Sequence, residues 1–202
     1  MRIIKIPRVL TKNRAEEEFE REIPNIIVKE SKKFGIKTDL EEIHIDNFNI
    51  PEAEKLVEGN AREEFEKQDF VVFLSQSKEV NDILKRVFCE RFDNAFVLAL
   101  DSTVKFDNLE MFSDMITEKI NRKDIFLQIN MNILDRAFAP GILEPEPLGL
   151  SNREFFYILR RLARCQGLKA ISICGISREK DEKNDLITCK TAARILKEFA
   201  RP

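Results

Sequence analysis

The chain has 202 residues, 43% hydrophobic and 35% charged, with a formal net charge of -2. That length suits one well-buried domain over residues 1–202, and the near-neutral charge gives no overall attraction to nucleic acid or to an anionic membrane. There is no apolar run of about 18 residues, and Met1 to Ile6 is too short and too charged for a signal peptide, which points to a cytoplasmic protein.

Arg2 to Ile6 reads as a first strand. Arg14 to Phe34 is strongly charged and carries Pro24, so it reads as a kinked or broken helix pair whose acidic run EEEFERE is a solvated face. Glu42 to Ile45 reads as a second strand, with the only histidine, His44, half-exposed in the alternating run EEIHI. A single histidine leaves no His-rich metal centre and no Ser/His/Asp triad that is not built on His44. Asn49 ahead of Pro51 starts a helix. Phe70 to Leu74, Ala95 to Leu100 and Ile125 to Asn130 are apolar runs with little alternation, as in strands buried on both faces, and are expected at the centre of the sheet.

Between them, Val80, Ile83, Leu84, Val87 and Phe88 repeat at helical spacing, and Leu109 to Ile120 forms one further helix through Leu109, Phe112 and Ile116. Ser151 followed by Glu154 is a capping-box signature for a helix bearing Phe155, Ile158, Leu159 and Leu162. Ala170 to Ile176 is the last strand. Asp181 and Asp185, in EKDEKND, read as an exposed loop, and Cys189, Ala192, Ala193 and Leu196 mark the last helix. Cys89, Cys165, Cys174 and Cys189 form no Cys-x-x-Cys pair and read as buried, reduced thiols. Strands alternating with helices predict an α/β protein, a three-layer α-β-α arrangement around a mostly parallel central sheet.

In open sheets of this kind ligands bind beyond the carboxyl ends of the strands. The segments there read LSQSKE, LDSTVKFD and INMNILDRAFAPG, which brings Ser77, Lys78, Asp101, Thr103, Lys105, Asn130 and Asn132 to one edge. Asn130 and Asn132 also suit a purely structural role, capping a strand end through nearby backbone groups.

LDRAFAPG at residues 134–141, then EPEPLGLSNRE at 144–154, resembles the loop of the arginase and agmatinase family of ureohydrolases. That loop runs Leu-Asp-Pro-Ala-Phe-Ala-Pro-Gly and passes through Pro-Glu-Pro-Gly-Gly-Leu into a helix beginning Ser/Thr-x-Arg-Glu. TCKTAARILKEF resembles the family's C-terminal helix, VVFLSQSK its strand ending in Gly-Gly-Asp-His, and VLALDSTVK its strand ending in Asp-Ala-His-x-Asp. The likeness covers about two-thirds of the chain, is strongest after Phe126, and implies a reduced arginase-like fold.

Carried over position by position, the resemblance implies a dismantled dimanganese site. The Asp-His pair of the first strand falls on Ser77 and Lys78. Asp101 retains one ligand of the second, whose His and second Asp become Thr103 and Lys105. The metal-binding Asp pair of the third strand becomes Asn130 and Asn132, and the substrate-binding Glu falls on Gly175. Hard divalent cations require anionic oxygens, where Asn offers a neutral carbonyl. Replacing ligands with lysines opposes them further, since a unit charge pair at about 4 Å is worth roughly 4 kcal/mol at an effective dielectric near 20. The two lysines would instead stand in for the cations beside Asp101. The resemblance thus implies a noncatalytic homologue with no metal or other cofactor, acting as a binding, scaffold or regulatory protein that forms a homo-oligomer or pairs with an active homologue. The alternative is a hydrolase acting on a C–N bond of an amidino or guanidino compound through a site rebuilt around Asp101. A third reading keeps metal at a carboxylate set of Asp101, Asp107 and Asp135.

Overall fold

The computed structural model describes residues 1–6, 21–44, 49–76, 78–104 and 108–200. Its strands are β1 (Arg2–Ile6), β2 (Asp39–Glu42), β3 (Val71–Ser75), β4 (Ala95–Leu100), β5 (Asp124–Asn130) and β6 (Leu168–Cys174). Its helices are α1 (Ile23–Lys32), α2 (Ile50–Lys67), α3 (Lys78–Arg91), α4 (Leu109–Lys119), α5 (Asn152–Leu162), α6 (Arg178–Glu182) and α7 (Ile187–Phe199). The strands form one sheet in the order β2-β1-β3-β6-β5-β4, and every neighbouring pair is parallel. The mostly parallel sheet expected from the alternation of elements is therefore wholly parallel among the described residues.

Strand periodicity divides the core in two. Ile3, Val72, Leu127 and Ile171 face one way, against the apolar stripes of α1, α4, α5 and α7. Ile4, Phe73, Phe126 and Ala170 face the other, against α2 and α3. On that second face Phe65 of α2 sits edge-on to Phe73 at 5.5 Å and to Phe88 at 5.4 Å between ring centroids, a geometry that adds to the area the rings bury. Both predicted caps form. Asn49 accepts from the Glu52 N–H at 3.3 Å, and Ser151 and Glu154 exchange both bonds of a capping box. Among the described residues no helix is long and apolar enough to cross a membrane.

Several expectations are corrected. Ala95 to Leu100 lies at an edge of the sheet, and β6 is central in its place. The strand reads as central because helices cover both of its faces: Phe96 and Leu98 pack with one core, Ala95 and Val97 with the other. Apolarity reports the cover above and below a strand, and is silent on its lateral neighbours. The second strand ends at Glu42, so His44 lies beyond it with an exposed side chain, while Ile45 falls outside the described residues. Pro24 occupies the first turn of α1, where its missing N–H has no helical acceptor to lose, so it starts the helix without kinking it. The earlier part of that segment, residues 14–20, lies outside the described residues. Cys174 and Cys189 are buried as expected, but Cys165 is half-buried and Cys89 exposed.

Asp181 is the largest departure, because it is completely buried. Helix α7 begins after Leu186, which has no side-chain acceptor for the first free N–H groups. Asp181 supplies the cap from α6 across the intervening turn: Oδ1 accepts from the Thr188 N–H and Oδ2 from the Cys189 N–H, each at 2.8 Å. The Thr188 hydroxyl then accepts from the Gly141 N–H at 2.8 Å, and the Gly141 carbonyl accepts from Ser177 N–H at 2.7 Å. A Cβ on Gly141 would stand 2.4 Å from Cβ of Asp181. Asp185 is exposed as the sequence suggests.

Asp181→Ala leaves two buried N–H groups without acceptors and should cost about 3 kcal/mol or more. Asp181→Asn, which keeps one acceptor, should cost roughly half as much. Equilibrium urea unfolding of the two variants beside the wild type measures the difference. A cost below about 1 kcal/mol for Asp181→Ala would remove the carboxylate from this role.

Candidate functional site

The carboxyl ends of β4, β5 and β6 converge where the sequence places its chemistry. After β5 the chain turns through a short 3-10 helix, Met131–Ile133, and Asn130 caps it by accepting from the Asn132 N–H at 3.1 Å. Asn132 is buried and reaches across to the end of β4, where its Oδ1 accepts from the Ser102 N–H and its Nδ2 donates to the Ser102 hydroxyl, both at 3.2 Å. Asp101 is half-buried, and its Oδ1 accepts from the Thr103 N–H at 2.8 Å and from the Thr103 hydroxyl.

Immediately after β6, Gly175 has φ +85°, and a Cβ there would lie 2.0 Å from Oδ1 of Asn130. The position needs glycine twice over, for its backbone and for the space Asn130 fills. Asp101, Thr103, Asn130, Asn132 and Gly175 are thus brought to one edge. Ser77 and Lys105 lie outside the described residues, as does the side chain of Lys78. Of the third carboxylate set, Asp107 also lies outside them, and Oδ1 of Asp135 accepts from the Ala137 N–H at 2.8 Å, closing a local turn in the loop.

Residues that the sequence did not single out complete the edge. Gln76 Oε1 accepts from the Ile176 N–H at 2.8 Å, Asn81 Nδ2 lies 3.1 Å from Sγ of Cys174, and Gln128 Nε2 donates to the Asn81 carbonyl at 2.8 Å. Asn81 carried a signal, since it falls three residues before Leu84 and seven before Phe88, an amide on an otherwise apolar helix stripe. Gln76 carried none, because its burial depends on the neighbouring β6. Leu148 takes a position that the resemblance fills with glycine; it has φ 66° and is 95% exposed. The loop thus keeps a left-handed turn with a strained residue in it.

Burial holds the Cys174 thiol up at about 11, offset in part by the Asn81 amide and raised further by the charge of Asp101. The thiol is therefore neutral at physiological pH and unsuited to act as a nucleophile. Among the described residues no three His, Cys, Asp or Glu side chains come together as a set that could hold a metal ion. A cleft of about 870 Å³ between the ends of α4 and α5, bordered by Arg122, Arg161 and Arg164, lies at the opposite, amino edge of the sheet.

Gly175→Ala should lower stability by roughly 2 kcal/mol or more, from a positive φ and from the collision with Asn130. Adding Asn130→Ala should recover about 1 kcal/mol of it, a coupling that a double-mutant cycle of unfolding free energies reads directly. Strict additivity would separate the two residues. Cys174 makes a pH prediction. Its folded value is raised above the ordinary thiol value of 9.0 to about 11, so its contribution is complete below about 9 and is lost as pH rises through about 11. Stability should fall more steeply over that window in the wild type than in Cys174→Ala, as chemical denaturation at stepped pH would show.

Comparison with known proteins places this geometry. Residues 91–201 match the model of the Arginase family. The chain is 33% identical over 96 residues to the formimidoylglutamase of Staphylococcus haemolyticus, covering 45% of this chain and 30% of that protein. It is 26% identical over 141 residues to the formimidoylglutamase of Staphylococcus aureus, covering 69% of this chain and 43% of that one. The chain therefore spans less than half the length of these curated relatives. The crystal structure of arginase from Bacillus subtilis superposes with a TM-score of 0.82 at 13% identity, covering 100% of this chain and 98% of that one. A family match over more than half of the residues, on a three-layer fold of the same kind, shows that the chain belongs to the arginase family.

Proposed function

We propose that this chain is a noncatalytic member of its family, one arginase-like domain over residues 1–202 that lacks the dimanganese site and serves as a cytoplasmic binding, scaffold or regulatory protein. The observation that carries the reading is the state of Asn130 and Asn132. At the positions matched to the metal-binding Asp pair, both side-chain oxygens are neutral and already accept backbone N–H groups, from Asn132 and Ser102 respectively. Thr103 stands where the resemblance has histidine and is spent on Asp101. Such a donor set does not suit a pair of divalent cations, which need several anionic oxygens and free imidazole nitrogens. Gly175, matched to the substrate-binding Glu, offers no side chain and is packed under Asn130. The pairing of Asp101 with Lys78 and Lys105 stays part of the proposal. Association with a second copy or with an active homologue belongs to it as well.

A second reading follows from the same edge. Oδ2 of Asp101 has no hydrogen-bond donor among the described residues, and Gln76 Nε2 and Asn81 Oδ1 are buried without partners there. These atoms support a rebuilt site for a hydrolase acting on a C–N bond of an amidino or guanidino compound. The relatives are named as formimidoylglutamases and an amidinohydrolase.

Manganese should leave the melting temperature unchanged, and amidino and guanidino compounds should not be hydrolysed with or without it. A resident metal site would stabilise the fold by about 2.7 kcal/mol at a hundredfold excess over its Kd, and such a shift would overturn the first reading. Metal-independent hydrolysis that disappears in Asp101→Asn would establish the second.

A further inference from the structure

Two turns at the amino edge of the sheet are pressed together. The turn after α4 leads through Arg122 into β5, and the turn after α5 leads through Arg164 and Gly167 into β6. The Ile125 N–H donates to the Gly167 carbonyl at 2.8 Å, and a Cβ on Gly167 would run into the Lys123 carbonyl. The two turns thus form one floor, beside which the cleft of about 870 Å³ opens. That volume lies within the range of roughly 300–1,000 Å³ usual for small-molecule sites.

Three arginines line the cleft, and they differ in what they bind. Arg161 is committed, since it pairs with Asp114 of α4 and its guanidinium stands over the Tyr157 ring at 5.9 Å. This pair ties α5 to α4 across the cleft. Arg122 and Arg164 are exposed, and neither side chain has an ion-pair or hydrogen-bond partner among the described residues. The N–H groups of Arg122, Gln166 and Gly167, on the same lining, have no acceptor there either. Against these donors stands one uncommitted carboxylate, that of Glu118.

Arg122 also sits where its backbone is under strain. With φ 62° it occupies the left-handed region, which glycine adopts freely and a long side chain does not. A guanidinium that pairs with nothing contributes little to the fold, so the fold alone would favour glycine here. Strain held at a residue with no structural task points to a role for its side chain.

We propose that this cleft binds a small oxyanion, a carboxylate or phosphate compound, between Arg122 and Arg164. The planar guanidinium fork matches two oxygens of either group, and two such forks on one concave surface concentrate positive potential. Helix C-termini disfavour an anion, but the ends of α4 and α5 blunt that effect. The carbonyls of Ile116 and Glu118 accept from the Ile120 and Asn121 N–H groups, and those of Arg161 and Leu162 from Arg164 and Cys165. Glu118 restricts the ligand to a small one, since a long polyanion crossing the cleft would meet its charge. The site lies at the opposite end of β5 and β6 from Asn130 and Gly175, so it goes beyond the proposed function and does not rest on it.

Isothermal titration calorimetry of the whole chain, at fixed ionic strength with chloride as the reference anion, tests this with inorganic phosphate and succinate as probes. At least one should bind with a Kd of about 1 mM or tighter, and the tighter probe assigns the class. Arg164→Gln and, separately, Arg122→Gly should each weaken that binding about tenfold or more. Lys85→Gln, which removes an equal charge from an exposed position on α3, should leave it unchanged. Arg122→Gly should melt no lower than the wild type, because it relieves the left-handed residue. If neither probe binds at that level, or if binding survives both arginine substitutions, the proposal is overturned. A single-stranded oligonucleotide bound more tightly than either small probe also overturns it, since the arginines would then belong to a polyanion surface.

Discussion

A buried carboxylate with no ion-pair partner among the described residues ties the start of α7 to the loop after β5. Asp181 gives one oxygen to each of two N–H groups at the start of α7, and through Thr188 and Gly141 it holds the loop that follows β5 against that helix. Burying a charge is costly unless it is hydrogen-bonded, and the positive end of a helix is one of the few partners that can offset the cost without a counter-ion. Loop, short helix and final helix therefore form a unit. Removing one member would leave buried polar groups unpaired in the others. This gives a physical account of why LDRAFAPG and TCKTAARILKEF both keep their likeness to the arginase pattern. They contact one another, and their contact does not involve the strand ends where the chemistry would lie.

The strand ends are governed by a different economy. Carboxylates gathered at one edge repel each other and need cations; amides do not. Asn130 and Asn132 satisfy themselves with backbone N–H groups and with Ser102, so the edge holds together through neutral hydrogen bonds. Asp101 fits the same pattern because Thr103, two residues on, donates to it twice. Gly175 completes the arrangement, since any side chain there would displace the Asn130 amide. An edge of this composition preserves the layout of the strands that carry it.

Element type was legible in the sequence wherever it depended on neighbours in the chain. The stripe from Val80 to Phe88, the capping box at Ser151 and the apolar runs of β3 and β5 each gave an element close to the observed one, because caps and periodicity are local. Burial set by distant partners was not legible. Asp181 sits among charged residues and reads as solvated, yet its partners begin seven residues later on another helix. Gln76 is buried by a segment one hundred residues away. At the site, the convergence of Asp101, Asn130 and Asn132 followed from their places at the carboxyl ends of parallel strands, whereas the bond from Asn132 to Ser102 depends on where the turn after β5 points.

The position of β4 joins these two limits. Its apolarity correctly signalled helices above and below, but a strand covered on both faces has the same composition whether its flank is paired or open. What separates the cases is a comparison within the sheet: β2 is short, charged and bound by Arg2, and β4 is longer and uncharged. Open edges without charge are normally selected against in monomers, because they template pairing with any exposed strand.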